Sequence, residues 1–402
     1  MRILFFMIVT TLWLLFCVGM SPSSYALCPA FHGSEHNQPR TAPNTGISGH
    51  RVLKVFNRNN SWLGGYRFSP GVIFQDNAGR IWLGSGQSLN HVLQMYDQTT
   101  LQWTVFGQGQ SESYGELHYH NDAIVPGHVM WICQSRDNKM WFARNRTKPE
   151  IVPEHSLVSS FDGARWEALE VRSDPKDSVN IGLFQGRKGA VWFWKNDELM
   201  NYDGKRWSAP IKLPKVIGNL AQRAQDSAAR GRSDLPAYQG AIRREIITGM
   251  QDRSGYIWLG TWSQLIGFDP SRNEWREYPK ITVNPELIYE DNAGRLWFAD
   301  RENIDVYDKT NDSIVTHRLA RYLVGPFRDD FFIYLNAICQ DDQGQMLFAL
   351  SGGLLCYSQA RKTWELISLR SIGLDDRIND IMKDRAGRIW IATNQGLVLL
   401  DR

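Results

Sequence analysis

Ile73-Phe74-Gln75-Asp76-Asn77-Ala78-Gly79-Arg80-Ile81-Trp82-Leu83-Gly84 returns later in the chain as Ile288-Tyr289-Glu290-Asp291-Asn292-Ala293-Gly294-Arg295-Leu296-Trp297-Phe298-Ala299. The same frame recurs with Asp252, Gly255 and Trp258, and again with Asp384, Gly387 and Trp390. Three looser copies complete the set. Ser135 takes the Asp place before Trp141, Gly186 takes it before Trp192, and Asp341 with Gly344 precedes Leu347 in the Trp place. Hairpin chemistry explains the frame: two apolar runs need a tight connection, which Asp opens by bonding the backbone just ahead and Gly closes with a positive φ. Trp then anchors the second strand against a neighbouring unit. Asp76, Gly79, Asp252, Gly255, Asp291, Gly294, Asp341, Gly344, Asp384 and Gly387 are therefore read as structural turn residues.

Each copy has a second half, in which an apolar strand ends in an aromatic residue and Asp, turns, and reaches another Trp. Tyr96-Asp97 before Trp103 and Phe268-Asp269 before Trp275 are examples. Anchors at 82, 141, 192, 258, 297, 347 and 390 lie 39 to 66 residues apart, so the shortest intervals set the unit and the longer ones carry insertions. Four short strands per unit of this length are the signature of propeller blades. The expected fold is all-β, a seven-bladed propeller over residues 51–402, with insertions at 107–128 and 208–245. The last unit stops after three strands, and Leu53 to Asn57 followed by Trp62 reads as its missing piece, which would fasten the ring. Both termini read as a third strand, so the pairing at closure stays open.

Outside the repeats, Ile3 to Met20 is apolar behind Arg2, and Ser24 and Ala26 are small, as in a secretory signal cleaved after Ala26. The apolar stretch is also long enough for an uncleaved anchor, the one way in which the chain would meet a membrane. Residues 1–26 are thus expected as signal peptide and 27–50 as leader or linker, with the protein exported to a periplasmic or extracellular compartment. Composition agrees with one large closed domain: 402 residues, 43% hydrophobic and 22% charged, exclude wholesale disorder and collagen-like repetition. A formal net charge of +3 does not indicate a nucleic-acid-binding surface. Cys133 and Cys339 share one repeat position and read as buried small hydrophobes rather than a bridge.

The pattern Asp-x-x-Gly-x-Ile/Leu-Trp-x-Gly/Ala followed by Leu-x-x-Tyr/Phe-Asp resembles the two-component regulator propeller repeats of bacterial extracellular sensor regions. The resemblance extends over residues 51 to 402 and implies a recognition module of a signalling system. In that family a membrane span and an output domain usually follow the propeller, whereas this sequence stops at Arg402 inside the last unit. Any signalling role then calls for a separate partner protein.

Chemistry is expected where the second strand of each blade hands over to the third. Arg144, Trp194, Lys195, Trp262, Asp300 and Arg301 follow the anchors, and Asn180, Asn336 and Asn379 stand in the entries to the innermost strands. Cations beside Trp would suit an anionic or ring-bearing small ligand or a carbohydrate. His118, His120 and Asp122 alternate as metal ligands do on an extended segment, but without a third distant ligand an exposed polar hairpin is the favoured reading, and no metal or cofactor is assigned. An enzyme resembling the streptogramin lyases, with a metal and His at the mouth, is one alternative; a structural scaffold is the other. Six Trp at the anchor position and five at the outer position leave Trp131, Trp194 and Trp262 off pattern within the repeats.

Overall fold

The computed structural model describes residues 46–47, 49–57, 69–85, 92–107, 118–120, 129–143, 158–169, 180–214, 245–262, 264–281, 283, 285–319, 322, 334–374 and 376–401. These residues form seven sheets of four antiparallel strands, two of them with a fifth strand added at the outer edge. The innermost strands are Pro70–Gln75, Trp131–Gln134, Ile181–Gln185, Ile246–Gln251, Leu287–Glu290, Leu335–Gln340 and Ile378–Lys383. Each lies beside the innermost strand of the next sheet, and the last lies beside the first. The result is a closed seven-bladed β-propeller, as the repeat predicts. All seven anchors sit on second strands, and the described core divides into seven apolar clusters at the seams between blades.

Within a blade, the turn chemistry is more specific than a capped hairpin. Asp76 Oδ1 accepts the backbone N–H of Ala78 and of Arg80, both at 2.9 Å, and Gly79 holds φ +85°. The other oxygen, Oδ2, accepts the indole N–H of Trp82 at 2.8 Å and the Arg80 guanidinium at 2.6 Å. One buried carboxylate thus ties the turn, the anchor and a cation together. The indole bond repeats as Asp252 to Trp258 at 2.9 Å, Asp291 to Trp297 at 3.0 Å and Asp384 to Trp390 at 3.0 Å. Ser135 Oγ serves Trp141 in the same way at 3.1 Å. Trp192, whose frame has Gly186 instead, leaves its buried Nε1 without a partner.

The blades are also laced to one another at this end. Gln134 accepts Asn77 N at 2.6 Å, Gln251 accepts Arg187 N at 2.7 Å, and Glu290 accepts Arg253 N at 2.7 Å. Gln340 accepts Asn292 N at 2.6 Å and Gln75 accepts Arg385 N at 2.9 Å. The residue before the Asp therefore reaches the turn of the preceding blade. Where that residue is Lys383, its ammonium pairs with Asp342 at 3.2 Å.

Closure assigns the termini distinct places. Gly396–Asp401 is the third strand of blade 7, and the strand His50–Asn57 pairs antiparallel with it as the fourth, from Arg51 opposite Asp401 to Asn57 opposite Gly396. Gly46–Ile47 adds a further edge strand, so pairing begins inside the range expected as leader. The closing strand grips three blades. Phe56 stacks on Trp390 of blade 7 at 6.2 Å, Lys54 donates to the Tyr96 hydroxyl of blade 1 at 3.3 Å, and His50 Nε2 lies 3.4 Å from Asp341 Oδ2 of blade 6. His50 stands in for the missing indole, because Leu347 offers Asp341 no donor.

Candidate functional site

Antiparallel order puts the Asp-Gly turns at one end of the propeller. Connections from second to third strand, and from one blade to the next, leave from the other end, which is the mouth. Side chains expected there have different fates. Asn336 and Asn379 occupy bulges at the start of their innermost strands, and they donate to Ile378 O at 2.6 Å and Pro70 O at 2.7 Å. Asn180 donates to Ile246 O at 2.7 Å. All three side-chain amides bracket one blade to the next.

Trp194 is only 1% exposed and belongs to the seam between blades 3 and 4, not to the rim. Gly182 lies opposite it in the register; any Cβ there would overlap the indole, so the ring folds flat over the glycine and meets Trp131 edge-on at 5.5 Å. Lys195, the next residue, ends its strand half-buried, opposite Glu198. Trp262 follows its strand at 43% exposure. Arg144 and Asp122 lie outside the described residues. His118–His120 pairs in parallel with Thr104 to Phe106 at the outer edge of blade 1, away from the axis, and the side chains of this strand are outside the described set.

Asp300 and Arg301 form the centre of an organised rim on blades 5 and 6. Asp300 Oδ1 accepts the N–H of Glu302 at 2.8 Å and of Asn303 at 2.7 Å, which fixes the turn that presents Arg301. The guanidinium of Arg301 donates to Glu286 Oε1 at 3.0 Å and lies 4.7 Å from the centre of the Tyr334 ring. Tyr334 is in turn locked to Ser351, donating N–H to its Oγ at 2.9 Å and accepting its N–H at 3.0 Å. Burial pushes the Glu286 carboxyl above its ordinary value, and the Arg301 charge opposes that rise. Even so, the Arg301 side chain stays 54% exposed and Tyr334 37% exposed. A fixed cation stacked on an open aromatic edge, with a carboxylate behind it, is equipped to bind an anionic or planar group.

Three site residues escaped sequence reasoning. Glu286 and Tyr334 each directly precede an innermost strand, a position that the repeat places at the mouth, so the alignment of units could have flagged them. Asp380, on the innermost strand of blade 7, accepts the N–H of Ile73 from blade 1 at 2.7 Å and that of Ile381 at 2.8 Å. Burial outweighs those two bonds, and its carboxyl is pushed up to about 7. Part of its surface remains accessible, yet protein atoms enclose the group densely, and it is the enclosure that sets its charge preference. The signal was an acid within an innermost strand, between Ile378 and Ile381.

Residues 373–395 match the family model described as two component regulator propeller. The match covers one repeat, in blade 7. The extracellular domain of a putative hybrid two component system protein from B. thetaiotaomicron shares the fold with TM-score 0.53 at 16% identity, covering 86% of this chain. The propeller spans 39% of the length of that domain. Virginiamycin B lyase from Staphylococcus aureus shares it with TM-score 0.56 at 14% identity, covering 87% of this chain and 98% of the lyase. YCF48, solved with a D1 peptide, gives TM-score 0.52 at 13% identity, with 90% and 99% covered. No curated protein matches the sequence. At these identities the propeller shares its fold with enzymes and binding proteins alike, so its function has to be argued from its own site.

Proposed function

We propose that this propeller is an exported recognition module that binds a small anionic or ring-bearing ligand, such as an acidic carbohydrate, at the rim formed by Arg301 and Tyr334, with the exposed Trp262 of blade 4 on the same end. It passes that event to a separate signalling protein of two-component type. The observation that carries the reading is Arg301: held by Glu286 on one side and Tyr334 on the other, it still presents half of its side chain to solvent. Holding a long side chain in one geometry before a ligand arrives lowers the entropy cost of binding. The opposite end offers less room for a ligand, because its carboxylates and amides are engaged in turns and seams.

The test is a thermal-shift screen of the mature chain against glycans and organic acids, followed by titration of any hit. A ligand at a hundred times its Kd adds about 2.7 kcal/mol to the native state. Arg301→Ala combined with Tyr334→Ala should abolish the shift while leaving the unliganded melting temperature within a few degrees. A shift that survives the double substitution sinks the proposal.

A further inference from the structure

The opposite end of the propeller carries a second feature that the ligand rim does not explain. In blades 1, 5 and 7, the turn Arg folds back on its own buried carboxylate: Arg80 on Asp76, Arg295 on Asp291 and Arg388 on Asp384. Blades 2 and 3 have Ser135 and Gly186 in place of that Asp; the matching cation is Lys139 in blade 2, paired with Glu167 at 2.9 Å, and is replaced by Ala190 in blade 3, yet this end of both blades carries other cations. Arg136, Arg165, Arg187, Lys188, Lys205 and Arg206 are all exposed there, and among the described residues none of the six forms an ion pair.

The nearby carboxylates, Asp137, Asp162 and Asp203, are half as many as these cations, and each also holds local hydrogen bonds. Asp162 caps the N–H of Ala164 at 2.8 Å and of Arg165 at 2.7 Å; Asp203 does the same for Lys205 at 2.9 Å and Arg206 at 3.0 Å. Asp137 accepts the Tyr202 hydroxyl at 3.0 Å. The frame that carries the cations is firm. Arg136 N donates to Gly189 O at 2.8 Å across the seam, and its side chain packs where Gly204 has no Cβ.

We propose that this seam is a docking surface for an acidic protein segment. Six exposed cations against the three carboxylates Asp137, Asp162 and Asp203 leave an excess of positive charge on a rigid platform, which an acidic partner would neutralise and be steered by. The aromatic rings of the seam, Trp141, Tyr202 and Trp207, pack into the core, so none is turned outward to stack a base or a sugar. A chain charge of only +3 likewise lacks the broad field that holds a protein on an anionic membrane.

The mature propeller is titrated with a labelled poly-glutamate peptide, with phosphatidylserine vesicles and with a single-stranded DNA oligomer. Peptide binding should weaken at least about tenfold in a variant carrying R187E, K188E, K205E and R206E, and it should weaken as salt is raised. Reversal of Arg361 and Lys362, exposed on the same end in blade 6, should change it less than about twofold. Circular dichroism verifies folding, and R187E with K188E alone substitutes if the fourfold variant does not fold. Equal losses in the two sets of variants, no peptide binding, or tighter binding of vesicles or DNA than of peptide would each overturn the proposal. The ligand-induced shift at the rim is expected to persist in the reversed variant, which keeps the two proposals separable.

Discussion

Asp291→Ala measures how much of the fold rests on one turn carboxylate. The wild-type group is fully buried, with Oδ1 bonded to Ala293 N at 3.0 Å and Arg295 N at 2.9 Å, and Oδ2 bonded to Arg295 Nε at 2.8 Å and Trp297 Nε1 at 3.0 Å. Truncation strands the buried indole N–H, at about 1–3 kcal/mol, and frees two turn amides at about 1 kcal/mol each after partial hydration. Arg295 is part-exposed and swings out at little cost. The expected loss is about 3–5 kcal/mol, within the range for breaking one side of a buried charged network. In urea titrations followed by Trp fluorescence, this lowers the midpoint by about 1 M at an unchanged slope. Trp297→Leu in the Asp291→Ala background should recover about 1–2 kcal/mol of coupling, because no indole is left to satisfy. Leu347 shows that a blade closes with Leu at that position. A midpoint that moves by less than about 0.3 M, or a double variant no better than additive, would refute the hydrogen-bond account and leave the carboxylate a mere turn former.

Two further outcomes follow from buried groups at the seams. Asp380, raised to about 7, binds its proton in the folded state over a range where the unfolded chain has released it. Its contribution to stability is therefore full below the ordinary aspartate value and falls as pH rises toward 7. Carbon-13 carboxyl shifts should show this group titrating near 7; a midpoint below about 5 would be incompatible with its enclosure. His50→Ala removes the imidazole 3.4 Å from Asp341 Oδ2, an oxygen already without a conventional hydrogen bond, and should cost about 1 kcal/mol. Because the closing strand grips three blades, the loss should appear as earlier proteolysis near residue 50, and an unchanged cleavage rate would count against the clasp.

How much was legible follows from the range of each interaction. Asp76, Gly79 and Trp82 lie within one hairpin, so their spacing reports a turn that forms locally, and seven copies count the blades. Gln75, Gln134 and Gln340 stand one residue before the Asp place, but their partners are backbone groups of another blade, and nothing along the chain says which. The rim is harder still. Arg301, Glu286 and Tyr334 come from three connections on two blades and meet only after ring closure. Trp194 was misplaced for a related reason: its direction depends on Gly182, a cross-strand neighbour, rather than on its own repeat position.

The imperfect copies carry more information than the regular ones. A perfect unit spends its Asp on its own Trp and Arg, which leaves little to do beyond holding the blade. Where the unit departs, the displaced interaction reappears elsewhere. Without its Trp, Asp341 is met by His50, and the N-terminal strand is thereby pinned to blade 6 as well as to blade 7. Without an Asp, blade 3 leaves Trp192 unpaired, has Ala190 in place of the turn Arg, and turns Arg187 and Lys188 to solvent beside them. Degeneracy in this ring is thus spatially ordered, marking the closure on one side and the proposed docking surface on the other, so that regular blades between them can hold the mouth rigid for a ligand.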